Sequence, residues 1–257
     1  MIELVKVKKV FNAGNPSEFS ALNSVNLFIE ENQVTVLRGP SGSGKTTLLS
    51  IIGCMSRPSA GRVKLQGREI TSLPERFLTD IRRKTFGFIF QQPNLIKGIS
   101  VLDNVMLPAY PLGEKRSHLK NKAMKGLAEL NIGNKAASKV EWLSGGEAQR
   151  ASIVRALIND PHIIIADEPT AHLDTKLSYR FMEIIEKFKA EGKTVIITSH
   201  DPRSMNPPWW TGWSTSAMAK LRSSRRDPAS HRHRQSAGLL YSQRYGSVCR
   251  ILWRADT

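Results

Sequence analysis

The eight residues Gly39-Pro40-Ser41-Gly42-Ser43-Gly44-Lys45-Thr46 constrain this chain more than any other feature. They match the spacing G-x-x-x-x-G-K-[ST] and lie between a run read as a strand, Gln33–Arg38, and a helical stretch, Thr47–Ile52. Glycines at these positions let successive backbone N–H groups curl around phosphate oxygens, and the helix that follows adds its N-terminal dipole. Gly39, Pro40, Ser41, Gly42, Ser43, Gly44, Lys45, Thr46 and Thr47 are therefore expected to line a nucleotide's phosphates. Lys45 would reach the β- and γ-phosphates, and the Thr46 hydroxyl would ligate Mg²⁺. The bland alternative is a glycine-rich turn, but the four fixed positions arise by chance in roughly one chain in a hundred of this length. The strand–loop–helix setting lowers that further.

A phosphate loop needs a carboxylate partner, and Ile163-Ile164-Ile165-Ala166 supplies one by leading into Asp167 and Glu168. The continuous apolar run is that of a strand covered on both faces, and a carboxylate at the C-terminal end of a parallel strand lies where ligands of such sheets collect. Asp167 is expected to hold Mg²⁺ and Glu168 to polarise the attacking water. By itself an acidic pair after a strand is more often a helix cap; downstream of a phosphate loop the catalytic role is favoured. Around these motifs Glu3–Phe11, Ser24–Glu31, Arg62–Gln66, Thr85–Phe90 and Thr194–Thr198 pattern as strands, with Val25, Leu27 and Ile29 on one face. Leu119–Leu130, Glu147–Ile158 and Thr175–Glu191 pattern as helices. Strands alternating with helices predict an α/β domain with a largely parallel core.

The order of motifs over about 200 residues resembles the ATP-binding-cassette (ABC) ATPases. Leu143-Ser144-Gly145-Gly146-Glu147 is similar to that family's signature, and Ala171-His172-Leu173-Asp174 resembles its D-loop. Gln91 is similar to the Q-loop glutamine; Gln92 follows, and Gln91 is preferred because it comes directly after Phe90. His200 resembles the switch histidine, and Phe11 stands where the family places an aromatic residue that stacks on adenine. The resemblance implies a P-loop NTPase core with a mostly parallel sheet, an N-terminal antiparallel β subdomain and an inserted helical subdomain over about residues 93–158. It implies ATP and Mg²⁺ as cofactors, with Glu168, His200 and Gln91 catalytic and Thr46, Gln91 and Asp167 at the metal.

Physical chemistry agrees with what the resemblance says of Ser144, Gly145 and Gly146. They open a helix whose free N–H groups face outward, an anion site with no phosphate loop of its own to serve. In the family this end grips the γ-phosphate held by a second nucleotide-binding subunit, and Asp174 crosses to the opposite site, so a homodimer is implied. Glu147 stands where Gln is commoner, a variant familiar in the lipoprotein-release and macrolide-export branch. Ser56–Gly61, Phe86–Gln91 and Asn94-Leu95 resemble that branch too. A subunit docked on a separate integral membrane permease is implied, peripheral to the cytoplasmic face of the inner membrane, with the loop after Gln91 and the helices to about Asn134 as the coupling surface. A cassette acting on nucleic acid or ribosomes would show a second cassette or a long insertion; an idle interaction subunit would lack Glu168 or His200.

Charge is the feature that resists this picture. The chain of 257 residues carries a formal +16, which by itself suggests nucleic acid or an anionic membrane. Residues 203–257, however, hold ten basic residues against Asp227 and Asp256, a net +8, and four of the five tryptophans. Residues 1–202 are thus expected to be the nucleotide-binding domain and 203–257 an atypical, disordered tail. Met and Trp have single codons, which allows a test of the reading frame. Shifted by one base, Trp209/Trp210 reads Val, Trp210/Thr211 reads Asp and Met218/Ala219 reads Gly. With permitted choices elsewhere the text becomes Tyr-Glu-Pro-Ala-Val-Val-Asp-Arg-Val-Val-Asp-Leu-Arg-Asp-Gly-Glu, similar to the family's terminal hairpin. One lost base near codon 204 is the expectation, which removes the case for a nucleic-acid partner. The two cysteines, Cys54 and Cys249, exclude a disulfide scaffold.

Overall fold

A computed structural model describes residues 1–170 and 175–199 and the backbone of 218–220. Two sheets organise it. The first is antiparallel, in the order β2-β1-β4-β5, from β1 (Ile2–Phe11), β2 (Phe19–Ile29), β4 (Ala60–Leu65) and the short β5 (Arg68–Glu69). The second is parallel in every pairing, in the order β6-β7-β8-β3-β9, from β6 (Phe86–Ile89), β7 (Ile163–Asp167), β8 (Thr194–Ser199), β3 (Val34–Arg38) and β9 (Met218–Lys220). This is the mostly parallel core with an antiparallel β subdomain that the sequence predicts.

The apolar strands of the parallel sheet are buried on both faces because helices cover both. On β7, Ile163 and Ile165 face the core shared with α1 (Lys45–Ile52) and the antiparallel sheet. Their neighbours Ile164 and Ala166 face the core of α6 (Thr175–Ala190), against Phe181, Met182, Ile185 and Phe188. Between β6 and β7 the chain builds a helical layer from α3 (Val101–Met106), α4 (Arg116–Glu129) and α5 (Gly145–Leu157), joined by 3₁₀ turns. That layer has its own apolar centre, including Val105, Met106, Leu119, Leu127 and Val154.

Several boundaries differ from expectation. β2 begins at Phe19 rather than Ser24 and stops at Ile29. Ser24 has φ +54, and the β1–β2 register shifts three times, so strict alternation holds only over the last residues of the strand. Thr85 ends the helix α2 (Glu75–Thr85) instead of opening β6, and α2 itself buries only Leu78, too little apolar periodicity to be legible. Helix α1 starts two residues earlier than read, at Lys45. Past the expected boundary after residue 202, the described backbone of β9 pairs with Val36, Leu37 and Arg38 of β3. The rest of the tail, and with it the expectation of disorder, lies outside the described residues.

Candidate functional site

All the nucleotide motifs that fall on described residues of the parallel sheet gather at the C-terminal ends of its strands. β3 delivers the loop Gly39–Thr46, β7 delivers Asp167 and Glu168, and β6 leads through Phe90 to Gln91. This is where an open parallel sheet binds ligands.

The loop's path depends on its glycines. Gly42 and Gly44 have φ +76 and +88, and Gly44 is the left-handed N-cap of α1. A Cβ at Gly44 would meet the Ala21 carbonyl oxygen at 2.6 Å, whereas one at Gly42 would meet nothing within 4 Å. The loop is therefore packed from beneath and open above. Lys45 is buried and donates to the carbonyls of Gly39 (2.8 Å) and Pro40 (3.0 Å), bracing the loop across its width. Its ammonium lies 3.9 Å from Glu168 Oε1. Ser41, Gly42 and Thr46 are exposed, Thr47 half-buried, and the buried Ser43 hydroxyl has no hydrogen-bond partner among the described residues.

Thr46 and Asp167 meet: the Thr46 hydroxyl donates to Asp167 Oδ2 at 2.7 Å. A hydroxyl and a carboxylate side by side are hard oxygen donors of the kind Mg²⁺ takes together with substrate phosphates. With the orphaned Ser43 hydroxyl in the loop, the residues present fit a Mg²⁺–nucleotide. Glu168 sits in left-handed backbone, φ +45. Its carboxylate lies beside Lys45 whereas that of Asp167 meets Thr46, so the two acids serve different parts of the site.

Ser144 caps α5, accepting at its hydroxyl from the Glu147 N–H (3.3 Å), while the Glu147 carboxylate accepts from the Ser144 N–H (2.8 Å). This reciprocal cap holds the helix end open. The hydrogen bond from the Ser144 amide holds the Glu147 carboxyl below its usual range. A Cβ at Gly145 would meet nothing within 4 Å. Phe11 ends β1 and is 41% exposed, with the Lys9 ammonium over its ring at 5.1 Å from the centroid. Gln91 and Gln92 are both exposed, so exposure does not choose between them. Asp174 and His200 lie outside the described residues, as do Ala171, His172 and Leu173.

Three participants were not foreseen in the sequence. Gln149, 2% exposed on α5, donates Nε2 to the carbonyls of Phe90 and Pro169, both at 3.3 Å. Arg155, two turns further on, donates to the carbonyls of Pro93 and Asn94. The signature helix thus grips the loop around Gln91 and the chain just past Glu168. The third is Thr198, a fully buried hydroxyl on β8, hydrogen-bonded to both Asp167 and Glu168. A polar residue at the end of an otherwise apolar strand was the available signal for Thr198; a lone Gln on the buried face of α5 was the signal for Gln149.

The sequence profile described as ABC transporter matches residues 22–171. Macrolide export ATP-binding/permease protein MacB of Hyphomonas neptunium is 40% identical over 203 residues, 79% of this chain and 31% of that protein. The chain therefore spans about a third of the length of this macrolide-export relative. An uncharacterized ABC transporter ATP-binding protein of Thermotoga maritima is 38% identical over 78% of this chain and 86% of its own length. Among solved structures, a dimeric bacterial ABC transporter cassette superposes with a TM-score of 0.75 at 39% identity, covering 79% of this chain and 90% of the other. The same cassette in a post-hydrolysis state, bound to ADP and phosphate, matches with a TM-score of 0.75 at 38% identity. With more than half its length inside the family profile and a relative matched almost end to end, the chain belongs to the ABC transporter family, as an ATP-binding ATPase cassette.

Proposed function

We propose that this chain is the Mg²⁺-dependent ATP-hydrolysing subunit of an exporter, working as a homodimer beneath a separate membrane permease. The observation that carries the chemistry is the meeting of Thr46 and Asp167 at 2.7 Å, with Glu168 turned toward Lys45 beside them. Lys45 and the loop amides from Gly39 to Thr47 hold the β- and γ-phosphates, while the exposed Phe11 takes the adenine. Thr46 and Asp167 hold the metal, with Gln91 completing its surroundings. Mg²⁺, when bound, neutralises charge on the phosphate oxygens and orients the γ-phosphate for in-line attack. Glu168 orients the attacking water and accepts its proton, and His200 senses the γ-phosphate.

The open helix end at Ser144, Gly145 and Gly146 supports the dimer, because it faces an anion that its own phosphate loop cannot supply. A solved cassette of the family is dimeric, and the family resemblance gives Asp174 the part of the residue that crosses the seam. The side chains of Ile96, Leu107 and Tyr110 are exposed after Gln91, and Gln149 and Arg155 tie this region to the signature helix. They support a permease-docking surface whose movement reaches the site. No described helix is long and apolar enough to cross a membrane, which fits a peripheral place at the cytoplasmic face of the inner membrane.

The test is ATPase activity with and without Mg²⁺, together with size-exclusion chromatography of Glu168→Gln in ATP. Mg²⁺-dependent turnover and an ATP-held dimer of the variant are expected. Metal-independent turnover, or a variant that hydrolyses ATP like the parent, overturns the assignment.

A further inference from the structure

Thr198 stands between the two halves of the site. The strand order places β8 between β3, which carries the phosphate loop, and β7, which carries the acids. In the parallel register Thr198 is the partner of Asp167 on one side and of Leu37 on the other. Its side chain is fully buried, so the hydroxyl has protein partners in place of water. A threonine hydroxyl has one proton to give and lone pairs to receive, and both capacities are used. It donates to Asp167 Oδ1 at 2.5 Å and accepts from the Glu168 N–H at 2.9 Å.

The consequences for the two acids differ. Asp167 has two oxygens. With Oδ1 held by Thr198, Oδ2 is left facing Thr46, where it accepts at 2.7 Å. The carboxylate is thus pinned from the strand side and cannot rotate away from the metal position. Glu168 is held through its backbone. Its φ of +45 is a conformation that a residue with a long side chain adopts only when neighbours impose it, and the hydrogen bond to its N–H fixes the turn that carries its carboxylate toward Lys45.

We propose that Thr198 is a positioning residue for hydrolysis, one hydroxyl that sets the side chain of Asp167 and the backbone of Glu168 together. The inference rests on the assignment of Asp167 and Glu168 above. It places the effect on turnover, because the loop, Lys45 and Phe11 hold the nucleotide without Thr198. Outer partners of this kind, when lost, cost roughly 10- to 100-fold in activity.

The experiment compares Thr198→Val, which keeps the shape and loses the hydroxyl, with Thr198→Ser, which keeps the hydroxyl, and with Glu168→Gln. Steady-state kcat and KM for MgATP, affinity for a fluorescent ATP analogue, and amide exchange over residues 165–170 are measured on each. Thr198→Val is expected to lose at least tenfold in kcat with nucleotide affinity within threefold and faster exchange at the Glu168 amide, while Thr198→Ser stays within threefold of the parent on all three. Equal impairment of the Val and Ser variants, an unchanged kcat in Thr198→Val, or a loss confined to nucleotide affinity overturns the proposal. Should Thr198→Val not accumulate as folded protein, Thr198→Cys replaces it, since a thiol fills the space but is a weak donor and acceptor, and the same outcomes apply. Glu168→Gln separates the two levels: if it turns over normally, the site assignment fails; if it is inactive while Thr198→Val is not, only the role of Thr198 fails.

Discussion

Thr46 gives its hydroxyl proton to Asp167 Oδ2 at 2.7 Å although 121 positions separate them in the chain. The contact joins the first turn of α1 to the end of β7 across the tip of the intervening strand β8. A group that binds both must be coordinated by both, so Thr46→Val and Asp167→Asn should lose activity as a unit. Each is expected to lower kcat on the order of a hundredfold. The double variant should be little worse than Asp167→Asn alone, because residues that act on one ligand are not additive. Steady-state kinetics over a Mg²⁺ titration read the result; additive losses would mean that the two residues serve separate functions.

Gly44 tests the loop itself. Alanine there must adopt φ +88 and place its Cβ 2.6 Å from the backbone oxygen of Ala21, an atom fixed within β2. The strained conformation alone costs roughly 1–3 kcal/mol, and the steric contact forces the loop away from its seat. Gly44→Ala is expected to lower the melting temperature by at least a few degrees and to abolish binding of a fluorescent ATP analogue. Gly42→Ala meets no neighbour and suffers only the backbone strain, so it should melt closer to the parent. Calorimetry of the two variants side by side checks the ordering.

Glu147 gives the signature end a pH dependence. The Ser144 amide lowers its carboxyl pKa in the folded chain relative to the ordinary 4.5. The unfolded chain therefore holds more protons in this range, and stability rises with pH. The contribution is fully present above pH 4.5 and is lost as the pH falls through the lower, folded value. Glu147→Gln keeps the shape of the cap without the titrating group. The parent's melting temperature should fall more steeply than the variant's as pH drops below 4.5, with parallel curves above it. Identical slopes at low pH would show that the carboxylate is not held by the cap.

The contrast between Lys45 and Thr198 shows what a sequence can and cannot disclose here. Lys45 and the loop were legible because a local backbone requirement, glycines at left-handed positions before a helix, dictates the residue types within eight positions. The apolar runs of β7 and β8 were legible because burial on both faces demands them. Thr198 looked like one more polar strand end, because its partners depend on β8 lying between β3 and β7, and strand order is a property of the whole sheet. Gln149 is similar, since its two carbonyl partners lie 59 and 20 positions away. Ser24 and Lys6, with φ +54 and +48, mark where irregular pairing broke the alternation on which the edges of β1 and β2 were judged.

The edge of β3 carries the last prediction. Among the described residues, β9 pairs with three of the five residues of β3, Val36, Leu37 and Arg38, and not with Val34 or Thr35. A short, half-paired edge on a central nucleotide strand invites association with other chains. One base restored near codon 204 would replace the text beyond Arg203 with one that includes Val-Val-Asp-Arg-Val-Val-Asp-Leu-Arg-Asp-Gly, whose β-branched valines suit an edge strand and whose Asp-Gly suits a tight turn. It would also remove the basic, tryptophan-rich composition of the tail. The chain carrying the restored frame is expected to melt several degrees higher, to remain monodisperse at concentrations where the present chain associates, and to hydrolyse ATP for longer at 37 °C. Thermal melts and light scattering on the two chains, with the gene's bases read across codons 200–220, decide it. Stop codons in the alternative frame, or melting and activity unchanged by the replacement, would show that the tail belongs to the protein as it stands.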